Sequence, residues 1–381
     1  MKAKKSILFP IAISLCVCAF AGHRIPRPRP FKEDPDTVTI SIVGDVMMHT
    51  RQLGYPDSTF LAGISSRLSS ADLAIANMEF TLAGEPYSGY PAFSAPDSYP
   101  LTVQKCGVDV FLTANNHILD KGDAGLRRTI SRYRGQEGIM FTGIAEDSLA
   151  QEGNYPLMVS VHGLRIAIIN FTYGTNLPSG TDTPPVNYMD TTSIAAAIAR
   201  AHAASPDFII ALPHWGTEYQ LQHSPSQEGM AKWLISKGVS AIVGAHPHVV
   251  QDFVKAGDVP VFYSVGNCVS NMSAENTRLE LMVTLTAVRI KHLPSPIDPA
   301  KAPKWELASP LATWLWCTLP GTLTDNYMTI AAEDWLGRRD EWKDPSDYDN
   351  MVRTLERVSS SSGIPLPPNF PAACSHPEKK H

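Results

Sequence analysis

Five short apolar runs punctuate this chain, and each ends in a residue that can bind a cation. They read ISIVGD to Asp45, LAIANME to Glu79, VFLTANNH to His117, FIIALPH to His214 and AIVGAHPH to His248. Continuous apolar runs of this length, rich in Val and Ile, predict strands buried on both faces. Between them the spacing turns helical. Residues 58–70 carry Phe60, Leu61, Ile64 and Leu68 on one face, and a helix is predicted from Asp123 (DAGLRRTISRYR). Asp190 to Ala203 is an Ala-rich helix, and Ser226 to Lys237 is a helix with Met230, Trp233 and Leu234 inward. Leu157 to Tyr173 predicts a hairpin turning at His162-Gly163. Further strands are predicted at Val239–Val243, Val259–Val265, 278–290 and 311–319. Strands alternating with helices predict a layered α/β domain rather than a helical bundle or an all-β sandwich. The Gly/Pro/Tyr-rich loop at 83–100 is long enough to carry function.

The flanks read differently. Lys2, Lys4 and Lys5 precede an apolar stretch from Ser6 to Phe20, and Ala19-Phe20-Ala21 offers a small-residue cleavage site. Residues 1–21 are therefore read as a signal peptide. Retention as an anchor and lipid attachment at Cys16 or Cys18 are the alternatives, although the run is short of the roughly 20 residues a span needs. The expected location is outside the cytoplasm, in the periplasm or at the cell envelope. Residues 22–36 form a Pro-rich linker, 37–335 the compact domain, and 336–381 a C-terminal helix (Asp347–Ser360) followed by a loose tail.

The composition, 44% hydrophobic and 18% charged over 381 residues, is that of an ordinary globular protein. The formal charge of −5, with no long basic run, argues against nucleic acid as a partner. Removal of the signal peptide takes three lysines with it, leaving 29 basic against 37 acidic residues, or −8. Cys106, Cys268, Cys317 and Cys374 show no disulfide framework, and Cys106 and Cys268 read as small buried hydrophobes.

Carboxyl ends of strands in an open α/β sheet line up along one edge, where ligands bind. Five polar strand ends would thus gather oxygen and imidazole ligands into a metal site. In GDVMMH, Gly44 lets the chain turn after the strand, and Asp45 is a hard ligand able to bridge two ions, or else a helix cap. His49 is a ligand, a substrate contact or a packed histidine. In ANMEF, Asn77 and Glu79 share a face if the strand continues, pairing one ligand with one supporting residue. TANNHILDKG places Asn115, Asn116 and His117 together. An amide oxygen can bind a metal, and an imidazole can serve as general acid or base. Asp120 either orients that imidazole or leads into the helix.

His214 follows its strand, with Glu218 four residues on, and Trp215 and Tyr219 either wall the site or pack in the core. His246 and His248 flank Pro247, and a buried pair without a metal would need two separate sets of partners. Tyr263 and Asn267 in YSVGN line the same edge or simply end a strand. The chain has no G-x-S-x-G, no G-x-G-x-x-G and no Walker A sequence.

In this order, GDVMMH, ANMEF, ANNHILDKG, PHWGTEY, GAHPHVV and YSVGN resemble the CapA family, the capsule-biosynthesis proteins linked to poly-γ-glutamate. The resemblance spans residues 37–320. It implies a four-layer α/β/β/α sandwich of the calcineurin-like metallophosphoesterase type, in an exported protein of envelope polymer assembly. It also implies Asp45, Glu79, Asn116, His214, His246 and His248 as ligands of one or two divalent ions, with Mn, Fe and Zn all suiting such donors. His117, with Asp120, would be the proton donor beside a metal-activated water. His49, Asn77, Asn115, Trp215, Glu218, Tyr219, Tyr263 and Asn267 would surround the substrate. The chain departs from the pattern at Met47, where such enzymes carry Asp-x-His, and at Glu79, where they carry a bridging Asp. The expectation is a metal-dependent hydrolase acting on a phosphoester or a γ-glutamyl amide of an envelope polymer or its precursor. The alternative is a non-catalytic assembly or export component of a membrane-bound capsule synthase.

Overall fold

The computed structural model describes residues 36–290 and 304–371. The expected signal peptide, almost all of the linker and Cys374 lie outside the described residues. In chain order the first half forms β1 (Thr37–Val46), α1 (Ser65–Ser70), β2 (Leu73–Met78), α2 (Ser98–Lys105), β3 (Val110–Leu112), α3 (Gly122–Arg134), β4 (Met140–Thr142), α4 (Ser148–Asn154), β5 (Leu157–Val161), β6 (Leu164–Thr172) and α5 (Thr191–Ala204). The second half forms β7 (Phe208–His214), α6 (Pro225–Ser236), β8 (Ala241–Val243), β9 (Phe253–Ala256), β10 (Val259–Phe262), β11 (Asn267–Val269), β12 (Leu279–Ile290), β13 (Lys304–Leu307), β14 (Leu311–Thr318), β15 (Met328–Ala331) and α7 (Pro345–Ser362).

Two sheets result. The first runs β15-β14-β12-β1-β2-β3-β4, with β11 alongside β1 and β13 alongside β12. Its β1-β2-β3-β4 half is parallel and its β12-β14-β15 half antiparallel. The second runs β5-β6-β7-β8-β10-β9, with a parallel centre and antiparallel edges.

Strand alternation sorts the side chains into layers. Ile40, Ile42, Ile166 and Ile168 point between the sheets into one shared core. Val43, Ala74 and Ala76 face Phe60, Tyr99 and Tyr133 on the outer side of the first sheet. Ala167, Ile169 and Ala211 face Ile194, Ile198 and Leu234 of α5 and α6. The order is therefore helix, sheet, sheet, helix, as the resemblance implied.

The hairpin turns at His162-Gly163, both with positive φ, which suits a two-residue turn. Helix α5 is capped by Asp190, and α6 opens on a capping box of Ser224 and Gln227. Three sequence expectations change. Of residues 58–70 only Ser65–Ser70 is α-helical, the stretch before it forming tighter turns. His214 does not follow its strand but is its last residue, the strand running on through Pro213. The C-terminal helix does not stand apart from the compact domain. Tyr348, Met351, Leu355 and Val358 join the inter-sheet core, and so does Ile364 of the supposed loose tail. Arg278 ties α7 down with a bidentate ion pair to Asp347 at 2.6 and 2.7 Å, its guanidinium stacked on Trp316. Cys106, Cys268 and Cys317 are buried free thiols.

Candidate metal centre

The parallel strands of both sheets end at the same edge, and the polar residues that follow them converge there. Gly44 is not a turn. It is the extra residue of a bulge, since the β1–β2 register passes from Val43↔Ala76 to Asp45↔Asn77. A Cβ there would lie 1.8 Å from the Gly266 carbonyl oxygen, so only glycine lets β1 lie this close to the turn before β11. The bulge sets Asp45 between two cross-strand neighbours, Asn77 on β2 and Asn267 on β11. Asn77 donates to Asp45 Oδ1 at 2.7 Å, and the His246 backbone N–H reaches Oδ2 at 3.3 Å.

Glu79 lies one residue past β2 and is fully buried, yet neither carboxylate oxygen has a hydrogen-bond donor. Its Oε1 is 3.8 Å from His117 Nε2, 3.8 Å from His214 Nε2 and 3.9 Å from His248 Nε2. These gaps are too long for hydrogen bonds. Metal–ligand bonds of about 2.0–2.2 Å place donor atoms up to about 4 Å apart across one ion, so the spacing fits a shared cation.

The histidines are held by groups that fix their tautomers. The Asn77 amide nitrogen lies 3.2 Å from His214 Nδ1, and Asn116 Oδ1 lies 2.7 Å from its Nε2. His248 donates from Nδ1 to Asn267 Oδ1 at 2.8 Å, with Asp45 Oδ2 at 3.4 Å, which leaves Nε2 as a lone pair facing Glu79. His246 Nδ1 is buried without a partner. Both His246 (φ 99°) and His248 (φ 57°) sit in left-handed backbone that side chains rarely adopt, strain of the kind concentrated at functional sites.

Electrostatics follow from this packing. Burial opposes a charge on Asp45, but hydrogen bonding to His248 and the fields of His214 and His248 outweigh it and hold the carboxyl far below its ordinary range. Burial, then the Asp45 charge, push Glu79 well up. Two carboxylates facing each other are both acceptors, so a proton or a cation must lie between them. Burial pushes His214 down to about 3 and holds His246 well below its usual value. Burial also opposes charge on His248, but Asp45 and Asn267 overcome it and raise its pKa. The neutral imidazoles of His214 and His246, beside the unpartnered carboxylate oxygens of Glu79, are donors of the kind a divalent ion requires. The residues fit such an ion. Two groups qualify: Asp45, Glu79 and His214, and beside them Glu218, His246 and His248.

His117 forms a separate dyad. Asp120 Oδ2 accepts from its Nδ1 at 2.6 Å and from the Phe93 backbone N–H at 2.8 Å. Asp120 thus orients the imidazole and does not cap α3, whose cap position is Lys121. Asn115 donates to Met78 O and accepts from the His117 backbone, tying this loop to β2. His49 reaches the same region with Nε2 unpartnered, and burial with His248 and His117 nearby pushes it down to about 4.

Not every expected residue lines the site. Trp215 is turned into the core under α5 and α6, its indole donating to Tyr263 O. Tyr263 packs there too, stacked on His223 at 3.8 Å. Asn77, Asn115 and Asn267 are buried and spend their amides on Asp45, His248 and backbone rather than facing open space. Tyr219 stays at the mouth, 6.3 Å from His248 and 44% exposed. Three residues at the site had escaped the sequence reading. Phe93 packs edge-on against both His117 (4.7 Å) and His49 (5.2 Å). Tyr173 lies 4.5 Å from His246. Asn176 accepts from Asn116 and donates to Asp120 Oδ1, its amide nitrogen lying 3.1 Å from His117 Nδ1. Both Tyr173 and Asn176 follow β6, a sixth apolar run ending in polar residues (INFTYGTN) that carried the same signal as the other five.

A layered α/β/β/α protein with a buried carboxylate–histidine centre at its sheet edges is what fold and site together define. Residues 39–272 match the model of the family described as Bacterial capsule synthesis protein PGA_cap. The chain belongs to that family. It is 26% identical over 294 residues to the capsule biosynthesis protein CapA of Bacillus anthracis, covering 73% of this chain and 71% of that one. It is 26% identical over 295 residues to the PGA biosynthesis protein CapA of Bacillus subtilis (strain 168), covering 73% and 75%. Among solved structures it is similar to a calcineurin-like phosphoesterase from Bacillus subtilis, at 14% identity and a TM-score of 0.44 over 84% of this chain and 98% of that one. Among the described residues no helix is long and apolar enough to cross a membrane.

Proposed function

We propose that this chain is a metal-dependent hydrolase of capsule-polymer biosynthesis, acting at the cell envelope on a phosphoester or a γ-glutamyl amide of the polymer or its precursor. The observation that carries the reading is Glu79 Oε1, buried without a donor and surrounded at 3.8–3.9 Å by three imidazole nitrogens. Asp45, Glu79, Asn116, His214, His246 and His248 would hold one or two divalent ions, with Glu218 reaching the second group. Mn, Fe and Zn all accept such oxygen and nitrogen donors. The ions supply Lewis acidity toward a phosphoryl or carbonyl oxygen and toward water.

The protein's own part is positioning and proton transfer. Asp120 takes the Nδ1 proton side of His117 and leaves Nε2 aimed at the Glu79 side of the centre. As an imidazolium hydrogen-bonded to Asp120, His117 would give its Nε2 proton to the leaving group and be left as the neutral Nδ1–H imidazole. Phe93 shields both His117 and His49 from water. Met47 supports a second reading, a non-catalytic partner of a membrane-bound synthase. It stands where the resembled enzymes carry a histidine, and its side chain lies in the helix-side core.

Turnover of bis-p-nitrophenyl phosphate and of poly-γ-glutamate by the full chain separates the two. Under the hydrolase reading His117→Ala lowers kcat by about 10²- to 10⁴-fold on whichever substrate turns over. Its bound metal stays unchanged. Turnover indifferent to that substitution leaves only the assembly role.

A further inference from the structure

The centre is shared between two sheets. Asp45, Glu79, Asn116 and His117 belong to strand ends of the first, and His214, His246 and His248 to strand ends of the second. Its geometry therefore depends on how the sheets sit against each other. Much of what lies between them is apolar, Ile40, Ile42, Ile166 and Ile168 included. Apolar contact is non-directional. It holds the sheets together without fixing their offset as closely as metal ligation needs. Beneath the ligands even that contact lapses. A small cavity there is lined by Ile42, Asn77 and Leu112 of the first sheet and by Asn170, Leu212 and His214 of the second.

Asn170 spans the two sheets at this level. It lies on β6, buried, with Leu212 of β7 as its cross-strand neighbour. Its Oδ1 accepts the Ala114 N–H at 3.0 Å and the Thr113 N–H at 3.3 Å, just past β3 in the first sheet. Its Nδ2 donates to Leu212 O at 2.8 Å in the second. Hydrogen bonds, unlike apolar contacts, fix distance and direction. Each end of the tie stands two residues before a ligand candidate, Ala114 before Asn116 and Leu212 before His214. Those two candidates meet at 2.7 Å, Asn116 Oδ1 to His214 Nε2. The surroundings accommodate the tie. A Cβ on Gly143 would lie 2.2 Å from Ala114 N and 2.5 Å from Asn170 Oδ1, so only glycine leaves room for the bond. Asn187 donates its amide to Asn170 O at 3.1 Å and its backbone N–H to Gly143 O at 2.8 Å, bracing both.

Resting on the metal-centre reading above, we propose that Asn170 is a positioning residue: a polar tie that sets the offset between the sheets and so brings Asn116 and His214 to one ion. It acts through the two backbones and not on the ion itself. Calorimetric titration of the chelator-treated full chain with Mn(II) tests this, together with the visible absorption of the Co(II)-loaded chain. Asn170→Leu keeps the volume and removes all three bonds. Ile168→Ala opens the same inter-sheet core on the same strand and leaves the tie intact. Both variants should unfold at a lower temperature than wild type. Asn170→Leu alone should weaken Mn(II) binding, by about 10- to 100-fold, as loss of a supporting partner does. It alone should also shift the Co(II) bands, which report ligand geometry.

Asn170→Asp keeps an acceptor for both N–H groups and loses the donor to Leu212. Its affinity should fall between those of wild type and Asn170→Leu, and it carries the test if the leucine variant does not fold. The proposal is overturned if every Asn170 variant that folds binds Mn(II) as tightly as wild type, or if Ile168→Ala weakens binding as much as they do. A wild type that binds neither Mn(II) nor Co(II) is a different failure: it overturns the metal-centre reading itself, and this proposal with it.

Discussion

Replacing Glu79 by Gln should stabilise the metal-free protein and remove most of the stabilisation that metal gives. Glu79 is fully buried, its oxygens meet no donor, and it faces Asp45. In the metal-free protein, once pH exceeds the raised pKa, that carboxylate is an uncompensated buried charge. Gln removes the charge and can donate to Asp45. The gain expected from removing an unsatisfied buried group is about 1–3 kcal/mol. For a chain of this size, at about 2 °C per kcal/mol, Tm rises by about 2–6 °C.

The pH dependence follows from the raised pKa. A folded carboxyl that holds its proton above the ordinary value of 4.5 contributes stability that is complete below 4.5 and is lost as pH rises toward the folded pKa. The metal-free wild type should therefore lose more stability between pH 5 and pH 8 than Glu79→Gln does. With ion at a hundred times its Kd, the wild type gains about 2.7 kcal/mol, or about 5 °C. A variant binding a hundredfold more weakly gains only about 0.4 kcal/mol at that concentration. Scanning calorimetry on chelator-treated and Mn-loaded samples reads both arms. A variant that is less stable than wild type without metal, yet shifts equally with it, would refute the reasoning.

Two other substitutions probe the supporting structure. Asp347→Ala strands the Arg278 guanidinium, which is buried and stacked on Trp316. It should cost about 3–5 kcal/mol in urea unfolding, whereas the double change Arg278→Met/Asp347→Leu should cost less than either single change. Asp120→Asn keeps the shape but disturbs the His117 tautomer. Turnover should fall about 10- to 100-fold, with the ions still bound.

The layering and most of the centre were legible in the sequence because strand periodicity and strand-end chemistry are local. Asp45, Glu79, His214, His246 and His248 each follow an apolar run, and an α/β sheet has one edge to put them on. What was not legible depends on side-chain direction. Trp215 directly follows the ligand candidate His214, yet alternation sends it to the opposite face. Gly44 reads as a turn until the Gly266 carbonyl is seen against it. Asn77 read as a supporting residue, but which groups its amide and that of Asn267 would hold, Asp45 and His248, depends on cross-strand register. The stretch after the C-terminal helix looked loose because Ser and Pro dominate it, but Ile364 finds a place in the core, as does the apolar face of α7.

The most direct test is the metal content of the full chain purified without chelator, by inductively coupled plasma mass spectrometry, beside Asp45→Asn and His214→Ala. The account expects about one to two divalent ions per wild-type chain, as a site of this kind carries, and loss of most of that in both variants. A wild-type protein that retains no ion after incubation with Mn, Fe and Zn would contradict it, and so would variants that retain the full complement.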